Sequence, residues 1–295
     1  MLRLAVTTRA ETFERLQEPL AERGIEVVHV QPSERTIPLS GDPEPFPAVD
    51  VGYVYPSRAM EGGVVDALLG VPWVNGREAV LTSRNKAGVI AALSQAGLPV
   101  ADATMVSNPV DEDDLVAAAT DLGFPLVVKP NSTTRGVGVA RVDDVDSLLG
   151  VADYLDLLHE FPATGDRSYL LQEYLPDARD YRAMIVDGDY VGAVERRLPD
   201  PARAAGRWKH NVHRGAEATG VRLPPERRRL AERAADVLGI GYLGVDLLVT
   251  DDRTVVSETN ARPTVDAATK YEPGFFDDLA ALIERTATAD GRGGG

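Results

Sequence analysis

The sequence predicts a mixed α/β (α+β) protein, in which a small parallel α/β unit precedes units ending in antiparallel strands. Three observations carry this expectation. The N-terminus reads strand, helix, strand; apolar strands and periodic helices fill the middle; and a two-stranded hairpin lies near the C-terminus. The chain has 295 residues, which at roughly 150 residues per domain suggests two domains or one with subdomains.

Leu2, Leu4 and Val6 alternate as a strand does, and Phe13, Leu16 and Leu20 repeat at helical spacing. Gly24 stops that helix, and residues 25–30 read as a second strand. A loop follows with prolines at 32, 38, 43, 45 and 47. A strand at 51–55 and a further helix and strand ending near Asn75 complete a parallel α/β domain over residues 1–81. A helix is expected over 83–95, then, after Gly97 and Pro99, a strand at 104–106. The acidic start of residues 111–122 suits a helix N-terminus. The apolar strand 126–129, a glycine-containing turn at 131–138, a strand near 137–142 and a helix at 145–158 form a second unit, of α+β type. Strands at 169–174, 182–186 and 191–196, a polar loop to Gly215, a helix over 225–238 and a hairpin over 244–258 follow, and residues 290–295 read as a frayed tail.

Composition narrows the chemistry. The chain has no Cys, which excludes disulfides, thiolate nucleophiles and Cys-ligated metal centres. Its formal charge of −15 repels nucleic acid and anionic membrane. Only four of 31 basic residues are lysines, at 86, 129, 209 and 270, an acidic, arginine-rich balance that fits a salt-adapted cytoplasm. The N-terminus lacks a signal-peptide pattern, and no apolar run approaches the ~20 residues of a membrane span, so a cytoplasmic protein is expected.

Gly239-Ile-Gly-Tyr-Leu-Gly244 matches G-x-G-x-x-G by letter. A dinucleotide fingerprint follows a strand and opens a helix, whereas this run ends a helix and enters a strand, so a helix C-cap and tight turn is the better reading. No P-loop pattern is present. The final hairpin is richer. Glu258 and Asn260 share one strand face; with the turn at 251–253, Thr250 pairs with Thr254 and Asp246 lies opposite Glu258. Two opposed carboxylates and an amide among apolar neighbours suit a hard cation such as Mg²⁺.

In a chain that prefers arginine, the lysines are informative, because an ammonium is a compact point charge. Lys129 ends a buried strand and precedes the Ser132–Gly138 turn, Lys86 opens a helix, and Lys209 lies in Lys209-His-Asn-Val-His-Arg-Gly215. From Arg179 to Arg214, eight basic residues face five acidic ones, a local anion site within an acidic chain. The run Glu226-Arg-Arg-Arg229 is assigned to the solvated face of a helix whose Leu230, Ala234, Val237 and Leu238 face the core.

The order of these segments resembles the ATP-grasp superfamily, and within it the RimK-type carboxylate–amine (alpha-L-glutamate) ligases. Nine segments carry the resemblance: Asn85-Lys86, Leu126-Val-Val-Lys-Pro130, Arg135-Gly-Val-Gly138, Leu171-Gln-Glu-Tyr-Leu175, Asp180-Tyr-Arg182, Val194-Glu-Arg-Arg197, Asn211-Val-His-Arg-Gly215, Gly244-Val-Asp246 and Glu258-Thr-Asn-Ala-Arg-Pro263. One departure is Arg262-Pro263-Thr264, where relatives often carry a small residue and a glycine around the proline.

The resemblance implies an ATP-grasp fold: a Rossmann-like N-terminal domain at 1–81, a central α+β subdomain at 82–171, an antiparallel-sheet catalytic subdomain at 172–288 and a disordered tail at 289–295. It implies that Lys86, Lys129, Glu173, Tyr174, Asp180, Lys209, His210 and Asn211 bind ATP. Asp246, Glu258 and Asn260 would hold one or two Mg²⁺, with Mn²⁺ a substitute, and Arg196 would stabilise the acyl-phosphate and tetrahedral intermediates. The implied reaction joins a carboxylate to an amine through an acyl phosphate, releasing ADP and phosphate. The partners are a small-molecule amino acid and a carboxylate-bearing acceptor, which is a protein tail, a carrier protein or a cofactor. Glutamate addition to a protein or cofactor is the first expectation, with ligation to an amino-group carrier protein of lysine or arginine synthesis its rival. A non-catalytic nucleotide-binding regulator and an RNA-binding factor are the readings from other classes; the acidic surface disfavours the second. No nucleic acid or membrane partner is expected, and the chain is read as a homo-oligomer.

Overall fold

The computed structural model describes residues 1–8, 11–40, 45–133, 136–159 and 166–289. Pro43, Arg135 and the expected tail at 290–295 lie outside the described residues. Three sheets organise the chain.

The first is parallel. It contains β1 (Leu2–Val6), β2 (Ile25–His29), β3 (Val51–Tyr53) and β4 (Trp73–Val74), in the order β2-β1-β3-β4. Between strands run α1 (Glu11–Ala21) and α2 (Ala59–Leu69). Leu16 and Leu20 of α1 are fully buried, so the expected helical period marks a core face. Gly24 adopts φ 77° just beyond that helix.

The single helix expected over 83–95 is two helices, α3 (Arg77–Arg84) and α4 (Lys86–Gln95). Asn85 separates them: its side chain accepts a hydrogen bond from the Gly88 amide at 3.0 Å, an N-cap that starts α4 at Lys86. The second sheet, in the order β5-β8-β6-β7, is wholly antiparallel. Its strands are β5 (Ala103–Ser107), β6 (Leu126–Pro130), β7 (Ala140–Val142) and β8 (Ser168–Glu173). Helices α5 (Glu112–Leu122) and α6 (Val145–His159) cover one face through Leu115, Ala119, Leu148 and Leu155, leaving the other face open.

The third sheet contains β9 (Arg179–Val186), β10 (Asp189–Arg197), β11 (Glu217–Val221), β12 (Tyr242–Val249) and β13 (Thr254–Asn260), in the order β11-β10-β9-β12-β13. The polar loop expected before Gly215 holds a short helix α7 (Asp200–Ala204) and a 3₁₀ turn at Val212–Arg214, and β11 follows it. These elements lack a long apolar period, which is why the sequence pattern did not announce them. Helix α8 (Pro225–Leu238) has the expected bounds and ends at Gly239, φ 63°, in a left-handed C-cap. Two assignments on α8 change. Val237 is exposed, and Arg227 and Arg228 are half-buried, lying 5.7 Å and 4.7 Å from the ring centres of Tyr181 and Tyr190; a guanidinium can cover an aromatic face without losing its solvation.

A last helix, α9 (Phe275–Ala289), was not read from sequence. It buries Phe275, Leu279 and Ile283 against the first sheet and β9, and it contains Ala289, which the sequence reading assigned to the tail. No helix among the described residues is long and apolar enough to cross a membrane.

Buried polar contacts fix the first sheet to the third. Asn75, with φ 56°, donates to the carbonyls of Tyr242 and Ala261 and accepts from the Tyr242 amide at 3.2 Å. Ser83 Oγ lies 3.0 Å from Thr259 Oγ1 and accepts from the Ala261 amide at 3.0 Å. Packing within the first sheet is equally constrained at Gly52, where a Cβ would lie 2.2 Å from Trp73 Cε3. Gly52→Ala should therefore lower unfolding free energy by about 1–3 kcal/mol, the usual cost of overpacking a core, which urea unfolding of both proteins would measure.

Candidate active site

The site is built by the pleat of the third sheet. Side chains alternate across a strand, so Tyr181, Ala183, Leu243, Val245 and Leu247 enter the core with α4 and α8 while their neighbours face away. On that second face, Arg182 of β9, Asp246 of β12 and Glu258 of β13 form one row of direct cross-strand neighbours. Asp180 opposes Arg196 of β10 in the next row, and Gly244 opposes Asn260. The Asp246–Glu258 pairing is the one expected, reached by a different route. Val249, not Thr250, pairs with Thr254, and a bulge between Asp246 and Leu247 leaves Ser257 unpaired and restores the register.

Charge is densely compensated here. Asp246 Oδ1 accepts from Arg182 Nε at 2.7 Å and Oδ2 from Arg182 Nη2 at 2.8 Å, while Arg196 Nη2 lies 2.9 Å from Oδ2. Arg196 also donates to Asp180 Oδ1 through Nε at 3.0 Å and Nη2 at 2.5 Å, and His210 Nδ1 lies 3.6 Å from Asp180 Oδ2. Burial raises the Asp246 carboxyl, but Arg182 and Arg196 outweigh it and hold it below its ordinary value. Burial likewise acts to lower the Arg196 guanidinium, and Asp246 and Asp180 bring it above its ordinary value. The compensation that the hairpin reading assigned to a divalent ion is thus supplied at Asp246 by two arginines. Glu258 Oε1 faces Lys86 Nζ at 3.6 Å. Among the described residues, no three His, Asp or Glu side chains group as a cation site, so the expected set is two carboxylates and an amide.

The open face of the second sheet closes over this row. Lys129 is buried, with Nζ 3.4 Å from the Ser257 carbonyl. Lys86, also buried, donates to the carbonyls of Asn131, at 3.3 Å, and Thr133. Burial brings the Lys129 amine from 10.5 down to about 8; Glu258 pulls upward, Lys86 pushes further down and Asp246 pulls upward. Beyond Lys129, Gln172 is buried and its Nε2 has no hydrogen-bond partner among the described residues. Tyr174 meets Trp208 edge to face, with 5.7 Å between ring centres, and the Arg141 guanidinium lies 5.2 Å from the Tyr174 ring centre. Glu173 pairs with Arg253 and accepts from the Asp102 amide. Lys209 lies 5.5 Å from the Trp208 ring centre and donates to the Val139 carbonyl; burial, then Arg214, lowers its amine. Asn211 packs against Gly136, where a Cβ would lie 2.6 Å from Asn211 Oδ1 and where φ is 65°.

All twelve residues singled out from sequence line one cavity of about 1280 Å³ between the three sheets. Among the described residues, twelve Lys and Arg side chains and six carboxylates line it, so an acidic chain encloses a basic chamber. Arg182, Gln172, Arg141, Trp208 and Arg84 were not singled out. Arg182 had a signal: two residues after Asp180 on a strand, it must share that residue's face. Gln172 and Arg84 had none, since their approach depends on how the sheets meet. Of the four lysines, Lys270 alone does not line the cavity and pairs with Asp266 at 2.8 Å.

Comparison with known proteins agrees with the arrangement. The family model of the RimK-like ATP-grasp domain matches residues 83–275. A protein of Hydrogenovibrio crunogenus named "Probable alpha-L-glutamate ligase" is 30% identical over 223 residues, 75% of this chain and 69% of that one. A protein of the same name from Alcanivorax borkumensis is 30% identical over 227 residues, 76% of this chain and 70% of that one. Among solved structures, a RimK domain ATP-grasp protein from Sphaerobacter thermophilus superposes with TM-score 0.68 at 25% identity, over 96% of this chain and 98% of that one. The D-alanine–D-alanine ligase of Bacillus anthracis shares the fold, with TM-score 0.65 at 19% identity over the whole of both chains.

The Lys129 environment has a pH consequence. Its folded-state value of about 8 lies below 10.5, so between those values the unfolded chain holds more protons and stability due to this group rises with pH. Wild type should gain stability relative to Lys129→Met from about pH 8 to pH 10.5, read by urea unfolding across that window; parallel curves would refute the shift.

Proposed function

The chain belongs to the RimK-like ATP-grasp family and is an ATP-dependent ligase forming carbon–nitrogen bonds; on that premise we propose that it adds glutamate to a carboxylate-bearing protein or cofactor. One observation carries the reading: Lys86, Lys129 and Arg196 converge with Asp246, Glu258 and Asn260 on a single cavity. This assembly suits a triphosphate facing a carboxylate and an amine.

ATP would lie between the second and third sheets. Lys86 and Lys129 neutralise phosphate oxygens as buried point charges. Val127, Leu248 and the Tyr174–Trp208 pair offer apolar surface to the base, and the Gln172 amide, unpartnered among the described residues, offers a donor to one of its acceptors. Asp180 and His210 stand at the ribose end, and Lys209 and Asn211 close the pocket from the segment preceding β11.

The donor set fits a hard divalent cation. Asp246 of β12 and Glu258 and Asn260 of β13 offer oxygen acceptors of the required type on one face of the sheet. A carboxylate has about four lone-pair positions; Arg182 and Arg196 engage Asp246 from one side, so the carboxylate is oriented before a cation arrives. Mg²⁺ held there would neutralise phosphate charge and favour transfer of the γ-phosphoryl group.

The substrate carboxylate oxygen attacks the γ-phosphorus, the bond to the β–γ bridging oxygen breaks, and ADP leaves. The amine then attacks the acyl phosphate carbon, loses a proton, and phosphate departs as the amide forms. Arg196 would stabilise negative charge on the carbonyl oxygen during that second step; its fork, held by Asp180 and Asp246, costs little to reorganise, which supports the assignment. No covalent protein intermediate is needed, which agrees with a chain lacking Cys. Catalysis rests on positioning and charge neutralisation.

The deciding experiment is ADP release by purified protein with ATP and Mg²⁺, scanned across carboxylates and amines, with mass spectrometry of the product. Turnover requiring glutamate and a carboxylate acceptor is expected; nucleotide binding without ADP release for every pair would favour a regulatory protein instead. Arg196→Lys keeps the charge but not the fork, and should lower kcat about 10²–10³-fold while changing ATP affinity far less. An equal loss in ATP affinity would place Arg196 on the ground-state nucleotide.

A further inference from the structure

The two buried lysines of the cavity stand on different bodies of the molecule. Lys86 opens α4, whose Val89 and Leu93 pack in one core with Leu243, Val245 and Leu247 of the third sheet. Lys129 lies on β6, whose Leu126 and Val128 pack in a separate core with Leu171 of the second sheet. The spacing of the two ammonium groups is therefore set where α4 meets the end of β6. Asn131, 7% exposed, stands at that junction. It follows Lys129 by two residues, on the same side of an extended chain, with Pro130 between them.

Every polar group of Asn131 is engaged there. Oδ1 accepts from the Ala87 amide at 2.9 Å, and Nδ2 donates to Asn85 Oδ1 and to Ser168 Oγ, each at 2.9 Å. Its main-chain amide donates to the Ser168 carbonyl at 3.1 Å, and its carbonyl accepts from the Lys86 amide at 3.4 Å and from Lys86 Nζ at 3.3 Å. A helix leaves its first amides without partners of its own. In α4 those of Lys86 and Ala87 are taken by Asn131 and that of Gly88 by Asn85, so half of the cap comes from the second sheet. A lysine at the first helical position also meets the positive end of the helix dipole, which disfavours it. Here its ammonium is held by the carbonyls of Asn131 and Thr133.

From this junction we infer that Asn131 is a positioning residue, which fixes the Lys86 ammonium relative to that of Lys129 so that the two receive the phosphates of one nucleotide as a preset pair. Its side chain is committed to Asn85, Ala87 and Ser168, so it acts through Lys86 and not on the nucleotide. An amide suits this task, because a carboxylate in its place would have no proton to donate to Asn85 and Ser168. The inference rests on the nucleotide reading of the cavity, and deepens it by assigning a residue to the spacing of its cations.

The test is calorimetric titration of the full chain by ATP and by AMP, with Mg²⁺ and without a carboxylate or amine substrate. In wild type, ATP should bind at least about tenfold more tightly than AMP, the scale of one charge-assisted hydrogen bond. Asn131→Ala should reduce that ratio at least about threefold while AMP affinity stays within about twofold. In Lys86→Met, where the cation is gone, adding Asn131→Ala should change the ratio by less than about twofold. A merely structural role would lower stability yet leave the ratio at its wild-type value; that result overturns the inference, as does a full further loss in the Lys86→Met background. Asn131→Ser reads the same ratio should Asn131→Ala fail to fold. Amide hydrogen exchange supplies a measurement on the wild type alone: the Ala87 amide should exchange slowly without nucleotide, and exchange at the rate of an unprotected amide overturns the junction. A wild type that binds ATP no more tightly than AMP strikes the nucleotide reading and this inference together, whereas an unchanged ratio in the variants strikes the inference alone.

Discussion

Asp246 is the group on which the site's geometry depends. A carboxylate 4% exposed is costly to ionise without partners, and Arg182 and Arg196 provide five-donor forks on its two oxygens. Because Arg196 is also held by Asp180, the four charges form a neutral lattice across β10, β9 and β12. Each member fixes the rotamer of the next. Removing one partner from such buried arrangements costs about 3–5 kcal/mol in other proteins, so the lattice constrains structure as firmly as the apolar face behind it.

The same lattice bears on the proposed chemistry. An arginine already oriented by two aspartates would meet developing negative charge without reorganising, and a carboxylate already oriented by two arginines would present its remaining lone pairs in a fixed direction. Lys129 has a different status. It is buried with little compensation, which lowers its amine to about 8, and an incoming phosphate would supply what the protein withholds. Two kinds of cation thus meet at the cavity: arginines paired with aspartates across the sheet, and Lys129, which is buried with less compensation.

Assembly of the cavity requires all three sheets. The first contributes the crevice between β1 and β3, the second its open face with Lys129 and Gln172, the third the lattice. Asn75 and Ser83 bind the first to the third through buried hydrogen bonds, so the two ends of the cavity keep a fixed relation. This separation of roles explains how a chain of net charge −15 accommodates anionic ligands: basic groups are concentrated inside, and acidic ones are spread over the exterior.

The sequence by itself determined the alternating strands, the bounds of α8, the C-cap at Gly239, and the face shared by Glu258 and Asn260, because these follow from periods of 3.6 and 2 and from the conformational range of glycine. It arrived at Asp246 opposite Glu258 from a Thr250–Thr254 register that the sheet does not have; the turn and bulge that produce the pairing depend on local hydrogen bonding that periodicity does not encode. The break at Asn85, the strand β11, the helix α9 and the arginine partners of Asp246 were decided only by tertiary structure. A side chain such as Asn85 reads equally as helix interior or cap until Gly88 and Asn131 are in place. The counter-ion of a buried carboxylate is likewise whichever cation the neighbouring strand brings opposite it, and strand order is a property of the folded sheet.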